Sequence, residues 1–257
     1  MAVKEASIRH EPLRAPRLVR VASVPPLENG DRLTRAEFER RYEAMPHVKK
    51  AELIEGVVYL GTPVNVPHSE CHADIIGWLG NYRVATPGVA CGDNGTVRID
   101  EDNEPQPDVS LRIKIGGASR VSKDQYLEGA PELIAEVAMS SASYDLNDKL
   151  QTYRRNGVKE YIVWQLIERK LTWFRLQEGE YVAVKPDKKG VIESSVFPGL
   201  RLHVKALLAD KMADVMAELQ KGIASPEHAA FVAQLAGKKR KSSKPRRGPG
   251  RGSKTKG

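Results

Sequence analysis

Two spacings of apolar residues divide the chain into elements. Around residues 34–45 the pattern is helical, and Thr34 with Glu37 three residues on forms a capping box. Pro46 ends that helix at about Met45. Residues 52–59 (Glu-Leu-Ile-Glu-Gly-Val-Val-Tyr) are rich in branched side chains and read as a strand, with 61–67 as a second short strand or loop. Ile75, Ile76 and Leu79, with Trp78 beside them, return the pattern to helical spacing over 68–83, and Pro87-Gly88 breaks it. Residues 89–99, interrupted by Gly92 and Gly95, predict one or two strands about a turn, followed by an acidic loop over 100–106.

Residues 107–113 alternate as a strand does, with Asp108, Ser110 and Arg112 on one face and Val109, Leu111 and Ile113 on the other. A loop with at most a short helical turn is expected over 116–128. Residues 133–138 are nearly all apolar, as in a central strand covered on both faces, and Glu136 interrupts them. Ser143 is the expected N-cap of a helix running to Asn156, with Gly157 just past its end. A second central strand follows at 160–166, then a hairpin of 171–175 and 181–184 joined through Glu178-Gly179-Glu180. Residues 196–202 lead into a helix over 205–221, and a second short helix follows Pro226. This interleaving of strands and helices places the chain in the α/β (α+β) class, with no internal repeat.

Three residues in this frame carry candidate chemistry. A carboxylate inside an apolar strand is costly unless it is paired or holds a metal, which singles out Glu136. Asp108 follows a proline at the start of a strand, where it serves equally as an ordinary turn starter. On the following helix Leu146, Lys149, Leu150 and Tyr153 fall within one arc of about 100°, so Lys149 lies on or beside the buried stripe. Asp145 sits one turn before it and can pair with it. Two carboxylates and an ammonium at strand ends suit metal-assisted attack on a phosphodiester: Asp108 and Glu136 hold a hard divalent cation, while Lys149 stabilises negative charge or orients the attacking water.

Other motifs carry less. His68 and His72 are one helical turn apart with Cys71 between them. The order His-Ser-Glu-Cys-His lacks the glutamate that a metalloprotease places directly after its first histidine, so two helix-start histidines near a cleft are the better reading. No Gly-x-Ser-x-Gly elbow, Walker loop or dinucleotide fingerprint is present.

Charge changes the picture at one end only. The net charge is +8, yet residues 238–257 contain ten Lys or Arg and no Asp or Glu, which leaves −2 on the rest. Sequence-independent phosphate contacts are therefore expected from Lys238, Lys239, Arg240, Lys241, Lys244, Arg246 and Arg247. The 257 residues, 40% hydrophobic and 29% charged, can bury one sizeable core. They are expected to divide into an extended or disordered arm (1–31), a folded domain (32–236) and a disordered basic tail (237–257). No apolar run approaches the roughly 20 residues of a membrane span, and no hydrophobic signal core follows the basic N-terminus. With only Cys71 and Cys91, neither a disulfide framework nor a four-cysteine zinc site is possible, and a cytoplasmic location is expected.

The sequence Pro107-Asp108-Val109, then 132–137 (Glu-Leu-Ile-Ala-Glu-Val), then Asp145, Lys149, Tyr153, Gly157-Val158 and Glu160-Tyr161, resembles the Uma2 family of the PD-(D/E)XK nuclease superfamily. The likeness runs from near Thr34 to about Leu208, taking in Glu52-Leu53-Ile54-Glu55-Gly56 and His68. It implies a restriction-endonuclease-like core, a mixed central β-sheet flanked by helices with the acids at strand ends. Asp108 matches the metal-binding aspartate, Glu136 the metal-binding glutamate, and Glu52 an acidic position that would add a further ligand, directly or through water. The superfamily's usual lysine, two residues after that glutamate, falls on Ala138; Lys149 on the next helix stands in for it.

The resemblance thus implies a Mg²⁺- or Mn²⁺-dependent endonuclease acting on DNA. A homodimer is in keeping with cutting two strands. The displaced lysine keeps open the alternative of a non-catalytic nucleic-acid-binding protein that retains the nuclease fold. A third reading is an interaction module with no nucleic-acid role.

Overall fold

The structure, a computed structural model, describes residues 24–139 and 142–242. Helix α1 (Arg35–Glu43) starts at the expected box, with Thr34 Oγ1 accepting the Glu37 N–H at 3.4 Å, and buries Phe38. The next segment is a hairpin rather than one strand: β1 (Ala51–Ile54) and β2 (Val57–Leu60) pair antiparallel. Its two turn residues, Glu55 (φ 52°) and Gly56 (φ 71°), are both left-handed, as a two-residue hairpin turn requires. Asn103 Oδ1 accepts the Glu55 N–H at 2.7 Å and holds the glutamate in that conformation. Leu27, Phe38, Leu53 and Val58 close a small core over the hairpin. Residues 24–31 therefore belong to the folded domain instead of an arm, and the Gly30 N–H donates to Val58 O at 2.8 Å.

Helix α2 (Val66–Ala85) begins two residues earlier than its apolar spacing suggests, because Asn65 Oδ1 caps it by accepting the His68 N–H at 3.1 Å. After it come β3 (Val89–Asp93), β4 (Val97–Arg98) and β5 (Val109–Ile113). The expected 116–128 loop contains β6 (Arg120–Val121) and β7 (Leu127–Glu128), which pair with each other, and β7 also pairs with β4. Strand β8 (Leu133–Ala138) has the expected bounds.

The helix expected over 143–156 is two pieces, α3 (Ala142–Leu146) and α4 (Asp148–Arg155). Asn147 (φ −120°, ψ −82°) leaves helical geometry between them, a break that the i, i+4 pair Leu146 and Leu150 hides in the pattern. Then follow β9 (Glu160–Gln165), β10 (Lys170–Gln177), β11 (Glu180–Ala183), β12 (Val191–Glu193), β13 (Arg201–His203), α5 (Val204–Leu208), α6 (Met212–Ile223) and α7 (Pro226–Ser242). The expected helix over 205–221 is likewise split, at the left-handed Asp210 (φ 56°).

Six strands form the central sheet in the order β11-β10-β9-β8-β5-β3. β8 and β9 are parallel and the other neighbours antiparallel, so the sheet is mixed. Period-2 alternation sorts its residues onto two cores. Leu133, Ala135 and Val137, with Val109 and Leu111, pack on Ile75, Trp78 and Leu79 of α2, and Val215 and Leu219 of α6 extend the same core beyond that helix. Ile134, Ala138, Tyr161 and Val163 pack on Tyr153 of α4. Burying Trp78 leaves its Nε1–H in need of an acceptor, and Arg201 O supplies it at 2.9 Å, which ties α2 to β13.

Helix α7 is 17 residues long rather than short, and residues 237–242, assigned from sequence to the tail, continue it. Its buried Leu235 packs over Gly88, and the Lys238 stem lies over Gly116. Lys238, Lys239, Arg240 and Lys241 are thus helical, while Lys244, Arg246 and Arg247 lie outside the described residues, as do residues 1–23.

Candidate active site

Strands β5 and β8 pair antiparallel with Val109 opposite Ala135, so one further step of the register puts Asp108 beside Glu136. Both alternation rules then act. Val109 and Val137 turn toward α2, while Glu136 turns with Ile134 and Ala138 toward α4. The Asp108 N–H donates to Glu136 Oε2 at 3.2 Å, and the Val137 N–H donates to Asp108 Oδ2 at 2.9 Å.

From the α4 side Lys149 Nζ approaches Glu136 Oε1 at 2.9 Å, Glu52 Oε1 at 3.0 Å and Asp145 Oδ1 at 3.8 Å. Tyr153 Oη donates to the same Glu136 oxygen at 3.0 Å. Glu52 sits on β1, where its Oε1 also accepts the Gln106 N–H at 2.7 Å. The four residues singled out from sequence, Glu52, Asp108, Glu136 and Lys149, therefore line one cleft of about 390 Å³. Within it Glu52 is engaged by the lysine and a backbone amide, and the Lys149 ammonium is enclosed by carboxylates beneath the Tyr144 ring, 5.3 Å away.

Three further residues complete the walls. Lys50, directly before β1, reaches Asp108 Oδ1 and Asn94 Oδ1, each at 3.2 Å. His68 Nε2 lies 2.7 Å from Val137 O, and His72 Nε2 lies 3.0 Å from Asp108 O. A carbonyl only accepts, so both Nε2 atoms carry a proton and the two imidazoles pin the backbone of the acid-bearing strands. That use of the rings, rather than a zinc site with Cys71, explains their one-turn spacing. Lys50 had a faint signal in the sequence: it shares a strand face with Glu52 two residues on. Asn94 and Tyr153 are joined to the site only by long-range folding.

Four carboxylates (Glu52, Asp108, Glu136, Asp145) face two ammonium groups (Lys50, Lys149), which leaves a formal excess of two negative charges in the cleft. Burial pushes the Glu136 carboxyl up to about 8 despite Lys149, with Asp108, Asp145 and Glu52 adding to the rise. Burial also works against ionised Asp108, but Lys50, Lys149 and the Val137 N–H outweigh it and hold that carboxyl below its usual range. Burial likewise opposes the Lys149 charge, and Glu136, Glu52 and Asp145 overcome it, raising the amine well above its usual value.

Among the described residues no three His, Cys, Asp or Glu side chains form a ready-made metal cage. Mg²⁺ needs none, since one or two carboxylates suffice when water and phosphate fill its other positions. Asp108 and Glu136, hard oxygen donors side by side on neighbouring strands of an acid-lined cleft, fit such an ion.

The basic residues lie elsewhere. Asp108 precedes β5, whereas Lys238 lies over Gly116, beyond the other end of that strand. The tail therefore starts at the opposite end of β5 from the cleft.

A mixed sheet flanked by helices is also the fold of a solved structure. The chain is similar to a crystal structure described as a putative nuclease belonging to DUF820 from Anabaena variabilis, with a TM-score of 0.51 and 14% identity over 73% of this chain and 99% of that one. The model of the family Uma2, described as "putative restriction endonuclease", matches residues 35–205, about two thirds of the chain. The chain belongs to the Uma2 family. No curated protein matches it. Among the described residues no helix is long and apolar enough to cross a membrane.

Proposed function

We propose that this protein is a metal-dependent DNA endonuclease in which Asp108 and Glu136 hold a Mg²⁺ or Mn²⁺ ion. The observation that carries the reading is the pairing of these two carboxylates where the start of β5 lies beside β8, in a cleft that Glu52 and Asp145 also line. A bound divalent cation supplies Lewis-acid polarisation of the phosphate and a more acidic water. In the reaction the water oxygen bonds to phosphorus, the bond from phosphorus to the leaving sugar oxygen breaks, the water's proton passes to solvent, and the leaving oxygen takes one up. The chain's own residues prepare for this. The Val137 N–H and Lys50 orient Asp108, while Lys149 and Tyr153 orient Glu136. His68 and His72 keep the two strand ends in place.

Conversion of supercoiled plasmid to nicked or linear DNA, dependent on added Mg²⁺ or Mn²⁺ and stopped by EDTA, tests the proposal; plasmid that stays intact in every divalent metal contradicts it. The second reading, a DNA-binding protein without turnover, is favoured by one observation. Ala138, where the superfamily lysine would stand, is fully buried in β8. Binding of duplex DNA with no metal-dependent cleavage is the outcome it expects. The basic residues from Lys238 onward would add affinity for DNA of any sequence under either reading.

A further inference from the structure

Two lysines line the cleft, and they are placed for different tasks. The Lys149 side chain is 3% exposed, and its ammonium faces Glu136, Glu52 and Asp145. Turning it toward a ligand would strip the counter-charge from buried carboxylates, a costly arrangement. The Lys50 side chain is 31% exposed. An ammonium carries three donors, and Lys50 has two acceptors among the described residues, Asp108 Oδ1 and Asn94 Oδ1. Both lie at 3.2 Å, beyond the roughly 2.7–2.9 Å of a tight charge-assisted bond. Asn94 is exposed on a turn, and the second oxygen of Asp108 is held independently by the Val137 N–H. Lys50 can therefore swing on its four-carbon stem toward a ligand while the Val137 N–H keeps Asp108 seated and Lys149 remains as a second positive charge acting on it.

We propose that Lys50 is the catalytic lysine of this cleft, the cation that contacts the scissile phosphate and stabilises the charge building on its non-bridging oxygens. This rests on the endonuclease reading above. A phosphate drawn to the Asp108 side of the cleft meets Lys50 as its nearest solvent-facing cation, while Lys149 remains the counter-charge of the buried acids. The assignment also removes the difficulty of Ala138. The missing lysine is replaced from the residue just before β1, not from the helix after Glu136.

The test compares wild type, Lys50→Met, Lys50→Arg and Asp108→Asn, each as the full chain. Single-turnover cleavage of a fluorescein-labelled duplex in Mg²⁺ is read beside anisotropy of the same duplex across a salt series in Ca²⁺. Lys50→Met is expected to cleave about 10²- to 10³-fold more slowly, the scale of losing one transition-state donor, with part of the rate restored in Lys50→Arg. Its log–log salt slope should flatten by about 0.9, one phosphate contact. Wild-type cleavage by Lys50→Met while Asp108→Asn is slowed to a low residual rate would overturn the proposal and leave the endonuclease reading standing. A slowed Lys50→Met with an unchanged slope would also overturn it, because the lysine would then act only through Asp108. A wild type that cleaves in no metal would bring down the endonuclease reading itself, and this assignment with it.

Discussion

Asp108 and Glu136 hold each other through the backbone. The amide of Asp108 binds the Glu136 carboxylate, and the amide next to Glu136 binds the Asp108 carboxylate. Groups locked in this way act as a unit, and the losses from removing them do not add. Asp108→Asn and Glu136→Gln are each expected to slow cleavage to a low residual rate, with the double variant no slower than either single one. A double variant slower by the product of the two single effects, in single-turnover assays, would show two independent centres.

Lys149 carries charge into the interior, and its removal leaves Glu136 and Glu52 facing each other unneutralised. Lys149→Met should therefore lower stability by about 3–5 kcal/mol, the scale of breaking a buried ion pair from one side. Thermal or urea unfolding measures this. A loss below about 1 kcal/mol, as for an exposed pair, would mean that the lysine is not the counter-charge of the buried acids.

A second buried acid gives a pH signature away from the cleft. Burial raises Glu104 from 4.5 to about 8, Glu39 beside it adds to the rise, and Arg98 and Arg35 only partly oppose it. A group with a raised native pKa stabilises fully below its unfolded value and loses that contribution as pH climbs through the native one. Between pH 5 and 8 the unfolded chain releases a proton that the native state keeps, so wild-type stability falls. Glu104→Gln has no proton to lose. The melting temperature of Glu104→Gln relative to wild type should rise steadily from pH 5 to 8 and level off above; parallel curves would contradict the buried neutral carboxyl.

The basic tail is best cut after Ser242, since α7 extends that far and Leu235 is buried. This truncation removes six Lys or Arg and no acid. Counterion release makes phosphate contacts the salt-sensitive part of binding. Truncation should weaken duplex binding at low salt and flatten its salt slope, while single-turnover cleavage at saturating protein survives. An unchanged slope in fluorescence anisotropy would assign the DNA attraction to the folded domain.

The acids and the buried lysine were legible because local periodicity reports burial. Glu136 interrupts an apolar strand, Asp108 stands at the start of the strand paired with it, and Lys149 falls on the buried stripe of a helix. Lys50 was not, because its partner Asp108 is 58 residues away and only β1 beside the cleft brings them together. The hairpin over 51–60 was hidden for a different reason: Glu55-Gly56 is not among the usual turn pairs, and Asn103, distant in sequence, stabilises it. The start of the tail was misread because lysine-rich composition masks helix propensity, and the burial of Leu235, on α7, against Gly88 is a tertiary fact.

The most direct measurement is the single-turnover rate of plasmid nicking, with and without added Mg²⁺, for wild type and Asp108→Asn side by side. Circular dichroism establishes that both are equally folded. Nicking by wild type only when Mg²⁺ is present, and at most a low residual rate by Asp108→Asn, is the expected result. Equal nicking by both proteins, or nicking by wild type that persists in EDTA, would contradict a metal-dependent centre built on Asp108 and Glu136.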